Sequence, residues 1–347
     1  MATCRGTILL TGANGGLGCG IVSKIITTPE LAQYHGVYVV RDASSASSLR
    51  STLENRNLPH SYEILSLELS LLANVREFVR TLHARIAIRD IPPIRALILN
   101  AGYHDLGQQS VTNEGFDTSF ASNYLGHWLL TMLLLKDLDS ENGRIVVLGS
   151  SSYDVNHPSH KIDAIYEDEK WKTFFRNDTI DTIANSTWSS NNDEDLHRRA
   201  GTRRYGVAKM CNVMMVGELQ RRLDADPALK NLSIVGIDPG AMGTGLLRRG
   251  NWFTRVLLWP VILPLLAPLL TWLEPNGHVR TINKSSKDVI RAAFEINPEL
   301  RGKYLNGSEV QEVVPEAADV KKRAMVWRDS VKYSQLTKQD TALIDWA

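Results

Sequence analysis

The stretch Thr7-Ile-Leu-Leu-Thr-Gly12-Ala-Asn14-Gly-Gly16-Leu17-Gly18 decides the fold. Thr7–Leu10 reads as a short buried strand and Leu17–Ile26 as an amphipathic helix, so the glycines form a turn that joins a strand to a helix. Glycines there permit tight turning and let backbone N–H groups come close to a pyrophosphate at the helix N-terminus. The spacing is TGxxxGxG rather than GxGxxG, and a plain surface loop is the alternative. Gly12, Asn14, Gly16, Leu17 and Gly18 are the candidate cofactor contacts.

Outward from this turn, short apolar runs alternate with longer amphipathic ones. The strand candidates are Thr7–Leu10, Val37–Val40, Tyr62–Leu67, Ala96–Leu99, Arg144–Leu148, Ser233–Ile237 and Lys303–Leu305. Between them lie helical stretches such as Ala73–Ile88, Asn113–Leu135, Tyr205–Leu223 and Ser286–Phe294. The expected fold is α/β: a Rossmann-like doubly wound parallel sheet of about seven strands, helices on both faces, in a single domain spanning residues 1–347. Two segments break the rhythm. Residues 151–204 are polar and acid-rich with scattered aromatics, too long for a plain connection, and are expected as a surface insertion near the cleft whose aromatics cover substrate. Residues 245–284 contain the nearly uncharged run Trp252–Leu273, with Pro260, Pro264 and Pro268, expected as an apolar substrate-binding lid rather than a membrane span.

Hydrophobic content of 43%, charged content of 22% and a net charge of +1 describe an ordinary soluble globular chain and do not call for nucleic acid. Cys4, Cys19 and Cys211 are too few and too scattered for a disulfide framework or a metal cluster, so no metal is expected. No basic-then-apolar leader precedes Thr7, and the expected location is cytoplasmic.

Chemistry gathers around Tyr205 and Lys209. Four residues apart on a helix, they share one face with Cβ atoms roughly 5–6 Å apart. A phenol with a pKa near ~10 is a poor acid or base at neutral pH, and an adjacent ammonium is expected to lower it. Alone, such a pair is usually a half-exposed helix face, so its context must carry it. Polar groups sit at the carboxyl ends of the predicted strands, where open α/β sheets bind ligands: Asn100-Ala101-Gly102, Ser150, and Pro239-Gly240. The Ser150 hydroxyl could donate to a substrate carbonyl, with Ser151 and Ser152 as competitors. Asn123 lies in a long apolar helix, where an amide is costly unless bonded; a satisfied core residue is its alternative reading.

With Thr11–Gly18, Asn100–Gly102, Asn123, Ser150, Tyr205–Lys209 and Pro239-Gly-Ala-Met-Gly-Thr244 in order, the chain resembles the short-chain dehydrogenase/reductase family from about residue 6 to 310. It looks most like the retinol dehydrogenase and protochlorophyllide reductase branch, on Val40-Arg41-Asp42, Glu68-Leu-Ser-Leu-Leu-Ala-Asn-Val-Arg-Glu-Phe78 and Gly302-Lys-Tyr304. The resemblance implies that Ser150 polarises a carbonyl while Tyr205 passes the proton. Lys209 would hold the nicotinamide ribose and tune Tyr205, and Asn123 would support a proton relay through water. Glu68 and Leu69 would lie near adenine, Asn100 to Gly102 beside its ribose, Pro239 and Gly240 along the cofactor, and Thr244 at the carboxamide. The departures are the 54 residues between Ser150 and Tyr205, longer than in most relatives, and Glu68 where an Asp is usual.

Arg41, directly after the second strand and 23 residues beyond Gly18, suits a 2′-phosphate, so NADP is favoured over NAD. A one-residue shift would instead make Asp42 a ribose ligand for NAD. The expected function is NADP(H)-dependent interconversion of a carbonyl and an alcohol on a lipophilic small molecule. Peripheral membrane contact and a homodimer are both admitted. A redox-neutral isomerase, cyclase or dehydratase, or a redox-silent cofactor-binding scaffold on the same fold, are the alternatives.

Overall fold

In the computed structural model, the described residues are 4–55, 57–105, 109–162, 164–190, 197–243, 263–295 and 297–347. Eight strands form one sheet in the order β3-β2-β1-β4-β5-β6-β7-β8. They are β1 (Thr7–Thr11), β2 (His35–Val40), β3 (Tyr62–Ser66), β4 (Ile94–Leu99), β5 (Arg144–Leu148), β6 (Ser233–Asp238), β7 (Tyr304–Asn306) and β8 (Glu309–Gln311). The first seven run parallel; β8 pairs antiparallel with β7 and is one strand more than the sequence suggested. Its three residues, Glu309-Val-Gln311, are too short and polar to carry a periodic signal.

The central strands are apolar on both faces, as a sheet covered by helices on two sides requires. Leu9, Val37, Val39, Leu97 and Leu99 join one core, whereas Ile8, Leu10, Tyr38, Val40, Ala96 and Ile98 join the other. Helices Leu72–Ala87, Gly126–Leu134, His197–Ala225 and Val320–Ser334 contribute to the first core, and helices Gly16–Thr27, Ser47–Glu54 and Ile282–Phe294 to the second. Strand β4 lies on the opposite side of β1 from β2 and β3, so the strand order reverses between β1 and β4. Ligand sites in such sheets lie at this reversal.

Two helix expectations are corrected. The helix expected from Asn113 begins at Thr118, because the Asp117 carboxylate caps Phe120 N at 2.9 Å and the preceding residues form a Val111–Asp117 bridge. The helix expected from Tyr205 begins at His197, two turns earlier.

In residues 151–204 the acids Glu167, Asp168 and Glu169 are exposed as expected, but the aromatics do not face the cleft. Tyr153, Tyr166, Trp171, Phe174 and Phe175 are buried and belong to the first core. They pack on one another: Trp171 and Trp188 rings meet edge to face at 5.2 Å, Tyr166 and Phe174 at 5.7 Å, and the Arg203 guanidinium lies 4.2 Å over Trp171. Burying several aromatic side chains outweighs the ordering of the polar turns between them. The lid expectation falls partly on residues 244–262, outside the described residues, as do Thr244, Trp252, Phe253 and Trp259. From residue 263 the chain forms a helix, Leu263–Leu273, which contains Pro264 and Pro268. Pro264 sits in the first turn, where no N–H bond is lost, and only Pro268 removes one. At about 1.5 Å per residue the helix is far short of a bilayer, and no described helix is long and apolar enough to cross a membrane.

Candidate active site

The glycine turn closes as its residues require. Gly12 has φ +67°, and a Cβ there would stand 2.7 Å from Ala101 Cα; a Cβ on Gly18 would stand 2.4 Å from Gly12 O. Only glycine fits either place. Asn100, at the end of β4, staples the turn: its Nδ2 donates to Thr11 O at 2.9 Å and Gly12 O at 3.2 Å. Thr11 Oγ1 accepts from Asn100 N and Ala101 N at 2.9 and 3.0 Å. Asn14 Oδ1 accepts from Leu49 N at 2.9 Å, tying the turn to the helix after β2. The helix Gly16–Thr27 starts with no side-chain cap and no acidic residue in its first turn. Its leading N–H groups are therefore available to a phosphate.

Thr11 Oγ1 also lies 2.9 Å from Nε2 of His127, a fully buried residue whose Nδ1 faces Asn123 O at 3.4 Å. Burial holds His127 down to about 3, helped by the Lys209 charge, and burial holds His160 down to about 4. Between those values and the unfolded pKa of about 6.5 the unfolded chain binds more protons, so stability falls as pH drops through that window. From pH 7 to 5 each histidine is expected to cost about 2 kcal/mol. Urea unfolding at both pH values checks this: His127→Gln should lose about 2 kcal/mol less than wild type. An identical pH dependence in the two proteins would contradict it.

Past the turn, one cavity of about 840 Å³ runs along the carboxyl ends of the strands. At one end it is lined by the glycine turn, Arg41, Glu68 and Leu69; at its centre by Asn100, Ala101 and Gly102; and farther on by Ser150, Tyr205, Lys209, Pro239 and Gly240. Three of the four expected catalytic residues thus converge. Tyr205 is 5% exposed, and the Ser150 side chain acts on its phenol, lowering it against the effect of burial. Ser150 is also the acceptor for Ser152 N at 3.2 Å, and its own N–H donates to Tyr304 Oη at 3.0 Å. Gly149 makes the last contact feasible, since a Cβ there would lie 2.0 Å from that oxygen. Ser151 and Ser152 line the cavity too, but Ser150 is the one that acts on Tyr205.

Lys209 Nζ donates to Leu148 O at 2.8 Å and lies 5.5 Å from the Tyr205 ring centre. Burial lowers it to about 8, partly opposed by Asp238. The expectation that Lys209 lowers Tyr205 is corrected. Burial pushes the phenol well above its ordinary value, Ser150 pulls it back, and Asp238 adds to the rise. The ammonium is turned toward the Leu148 carbonyl rather than the phenol.

Asn123 does not enter the cavity. Its side chain accepts from Tyr103 N at 2.9 Å and donates to Tyr103 O and Ser119 O, both at 2.7 Å. It lies in a widened π turn, residues 121–125, and its backbone carbonyl accepts from Asn212 Nδ2 at 3.0 Å. It clamps the loop after β4, close to the satisfied-core alternative.

Several cavity residues were missed: Ser45, Ser48, His104, Ser159, His160, Thr202, Asp238 and His278. Asp238 had a signal, being the residue before Pro239-Gly240 at the end of β6. His104, two residues beyond Gly102, stacks on Tyr205 with ring centres 4.6 Å apart. Nothing local in the sequence distinguishes the others. Among the described residues no group of His, Cys, Asp and Glu could hold a metal ion.

The sheet order and the glycine turn define a nucleotide-binding α/β protein, with Ser150, Tyr205 and Lys209 gathered at its cleft. The family profile described as short chain dehydrogenase matches residues 6–161. A short-chain dehydrogenase of Talaromyces variabilis, iccH, is 44% identical over 99% of this chain and 99% of its own. Retinol dehydrogenase 13 of Homo sapiens is 26% identical, covering 94% of this chain and 83% of that one. The crystal structure of angucycline C-6 ketoreductase LanV with bound NADP superposes with a TM-score of 0.57 at 18% identity, covering 89% of this chain and 96% of that one. The chain belongs to the short-chain dehydrogenase/reductase family, oxidoreductases that act on carbonyl and alcohol groups.

Proposed function

We propose that this protein is an NADP(H)-dependent oxidoreductase that interconverts a carbonyl and an alcohol on a lipophilic small molecule. The convergence of Ser150, Tyr205 and Lys209 on one cavity, continuous with the glycine turn, carries the reading. When bound, the nicotinamide supplies or accepts the hydride. Ser150 orients and polarises the carbonyl oxygen through its hydroxyl, and Tyr205 gives that oxygen its proton or takes it back. Lys209, held by Leu148 O, places a donor beside Tyr205 for the nicotinamide ribose. The residues around the cavity fit such a cofactor: an uncapped helix N-terminus behind three close glycines, then Glu68 and Leu69 at the adenine end.

NADP(H) rather than NAD(H) is supported by the two residues after β2. The Arg41 side chain is half exposed on the cavity wall, paired with Glu68 at 3.0 Å, and Ser45 and Ser48 line the same wall. The Asp42 carboxylate is spent locally, accepting from Ser44 N at 2.9 Å and Ser44 Oγ at 2.7 Å. Those bonds lower its pKa and leave it a poor partner for a ribose hydroxyl. Arg41→Ala is expected to lower kcat/KM for NADPH by about 10–100-fold while leaving NADH nearly unchanged, as for one charge-assisted phosphate contact. An unaltered cofactor preference would remove Arg41 from this role.

The lipophilic class and a resting place on a membrane surface draw on the helix Leu263–Leu273. Leu265 and Trp272 are 74% and 77% exposed, Leu266, Leu269, Leu270 and Leu273 are exposed beside them, and Ala267 alone is buried. Such a surface on an uncharged helix suits an acyl boundary. Co-sedimentation with phosphatidylcholine/phosphatidylserine vesicles is expected for wild type and lost in a Leu265→Ser, Leu269→Ser, Trp272→Ser variant. Equal, negligible sedimentation by both would end the membrane part.

The whole reading is tested by following NADPH absorbance with a panel of ketones and alcohols. Absence of turnover in both directions with either cofactor would overturn it in favour of a redox-silent binder. Product formation without cofactor oxidation would favour an isomerase or dehydratase.

A further inference from the structure

His160 has no task in the chemistry above, yet it is one of the residues lining the same cavity. Its Nδ1 lies 2.8 Å from the backbone carbonyl of Asp154. A carbonyl only accepts, so the proton sits on Nδ1 and Nε2 carries a free lone pair. Two edge-on rings fix the imidazole, Tyr166 at 5.1 Å and His157 at 5.8 Å between centres. Among the described residues no group hydrogen-bonds to Nε2. The same Tyr166 packs against the residue after the acid/base: a Cβ on Gly206 would stand 2.3 Å from Tyr166 Oη. His160 is therefore one ring removed from the start of the Tyr205 turn, on the side formed by residues 151–166. The rest of this wall is also rich in hydrogen-bonding groups, with Ser151, Ser152, Ser159, Thr202 and His278 lining it.

We propose that His160 Nε2 accepts a hydrogen bond from a hydroxyl of the substrate remote from its reacting carbonyl, so that the substrate class is hydroxylated, phenol-like ketones rather than plain hydrocarbon ketones. The inference rests on the oxidoreductase reading and narrows it. Burial keeps the imidazole neutral at physiological pH, with His157 pressing in the same direction and the Asp154 carbonyl opposing. A neutral acceptor of this kind recognises a hydroxyl and gains nothing from a carbonyl, ether or carboxylate oxygen. When substrate displaces water from the wall, an acceptor left unpaired is penalised, so the site discriminates against substrates that cannot donate.

The test uses NADPH and 1-tetralones carrying either a hydroxyl or a methoxyl at each ring position, with kcat and KM measured separately. Wild type is expected to favour the hydroxyl compound over its methoxyl partner at one position by about 10–100-fold in kcat/KM, mainly through KM. His160→Phe should erase that preference, leaving kcat and NADPH affinity close to wild type. His160→Asn keeps a donor for the Asp154 carbonyl while removing the far nitrogen, and carries the same expectation should the Phe variant lose NADPH binding. Wild-type turnover with no hydroxyl preference at any position, or a preference that survives in whichever variant binds NADPH, overturns the inference. Absence of turnover of every tetralone and every other carbonyl by wild type would instead overturn the oxidoreductase reading beneath it.

Discussion

Tyr205→Phe is expected to cut turnover by about 10²–10⁴-fold while leaving cofactor affinity and folding nearly intact. The substituted ring keeps the stack on His104, and what disappears is the phenol hydroxyl that the Ser150 side chain pulls back toward its ordinary range. Ser150→Ala separates the two roles of that side chain. It removes the carbonyl donor and also the influence that pulls the buried phenol back toward its ordinary range, so the acid/base limb of its pH–rate profile should move to higher pH. Steady-state kinetics in both directions, with NADPH binding followed by fluorescence, measure these effects. Turnover of Tyr205→Phe within threefold of wild type would remove the phenol from the reaction.

Asp105→Ala is expected to destabilise the fold by about 3–5 kcal/mol, the usual consequence of removing one partner from a buried ion pair. Arg204 Nη2 lies 2.5 Å from Asp105 Oδ2, with both side chains almost fully buried, and Arg204 Nε lies 3.6 Å from Asp117 Oδ2. The pair links His104-Asp105, after β4, to Arg204-Tyr205 on the long helix, so it also sets the stack of His104 on Tyr205. Turnover should fall along with stability, and a chemical-denaturation midpoint equal to wild type would contradict the assignment. Asp117, pushed above its usual range by burial, is the weaker partner.

Sequence alone determined the parts of this protein that are written in short spacings. A strand, a glycine turn and a helix are contiguous, so Gly12 and Gly18 were legible as backbone that must approach closely. Tyr205 and Lys209 share a helix face by periodicity, and strand ends mark where a doubly wound sheet binds ligands, which located Ser150 and Asn100. The tertiary structure decided what depends on contacts between distant segments. It turned the Asn123 amide onto Tyr103 and away from the cavity, and it aimed Lys209 at Leu148 O, leaving burial and Ser150 to govern Tyr205. It buried the aromatics of 151–204, whose polar composition concealed that Trp171, Phe174 and Phe175 meet one another and the core. It also brought His104, His160, Asp238 and His278, from four separate stretches of chain, to one cavity. No local pattern encodes such a meeting, because the free energy that holds it comes from packing between elements that are neighbours only after the sheet has formed.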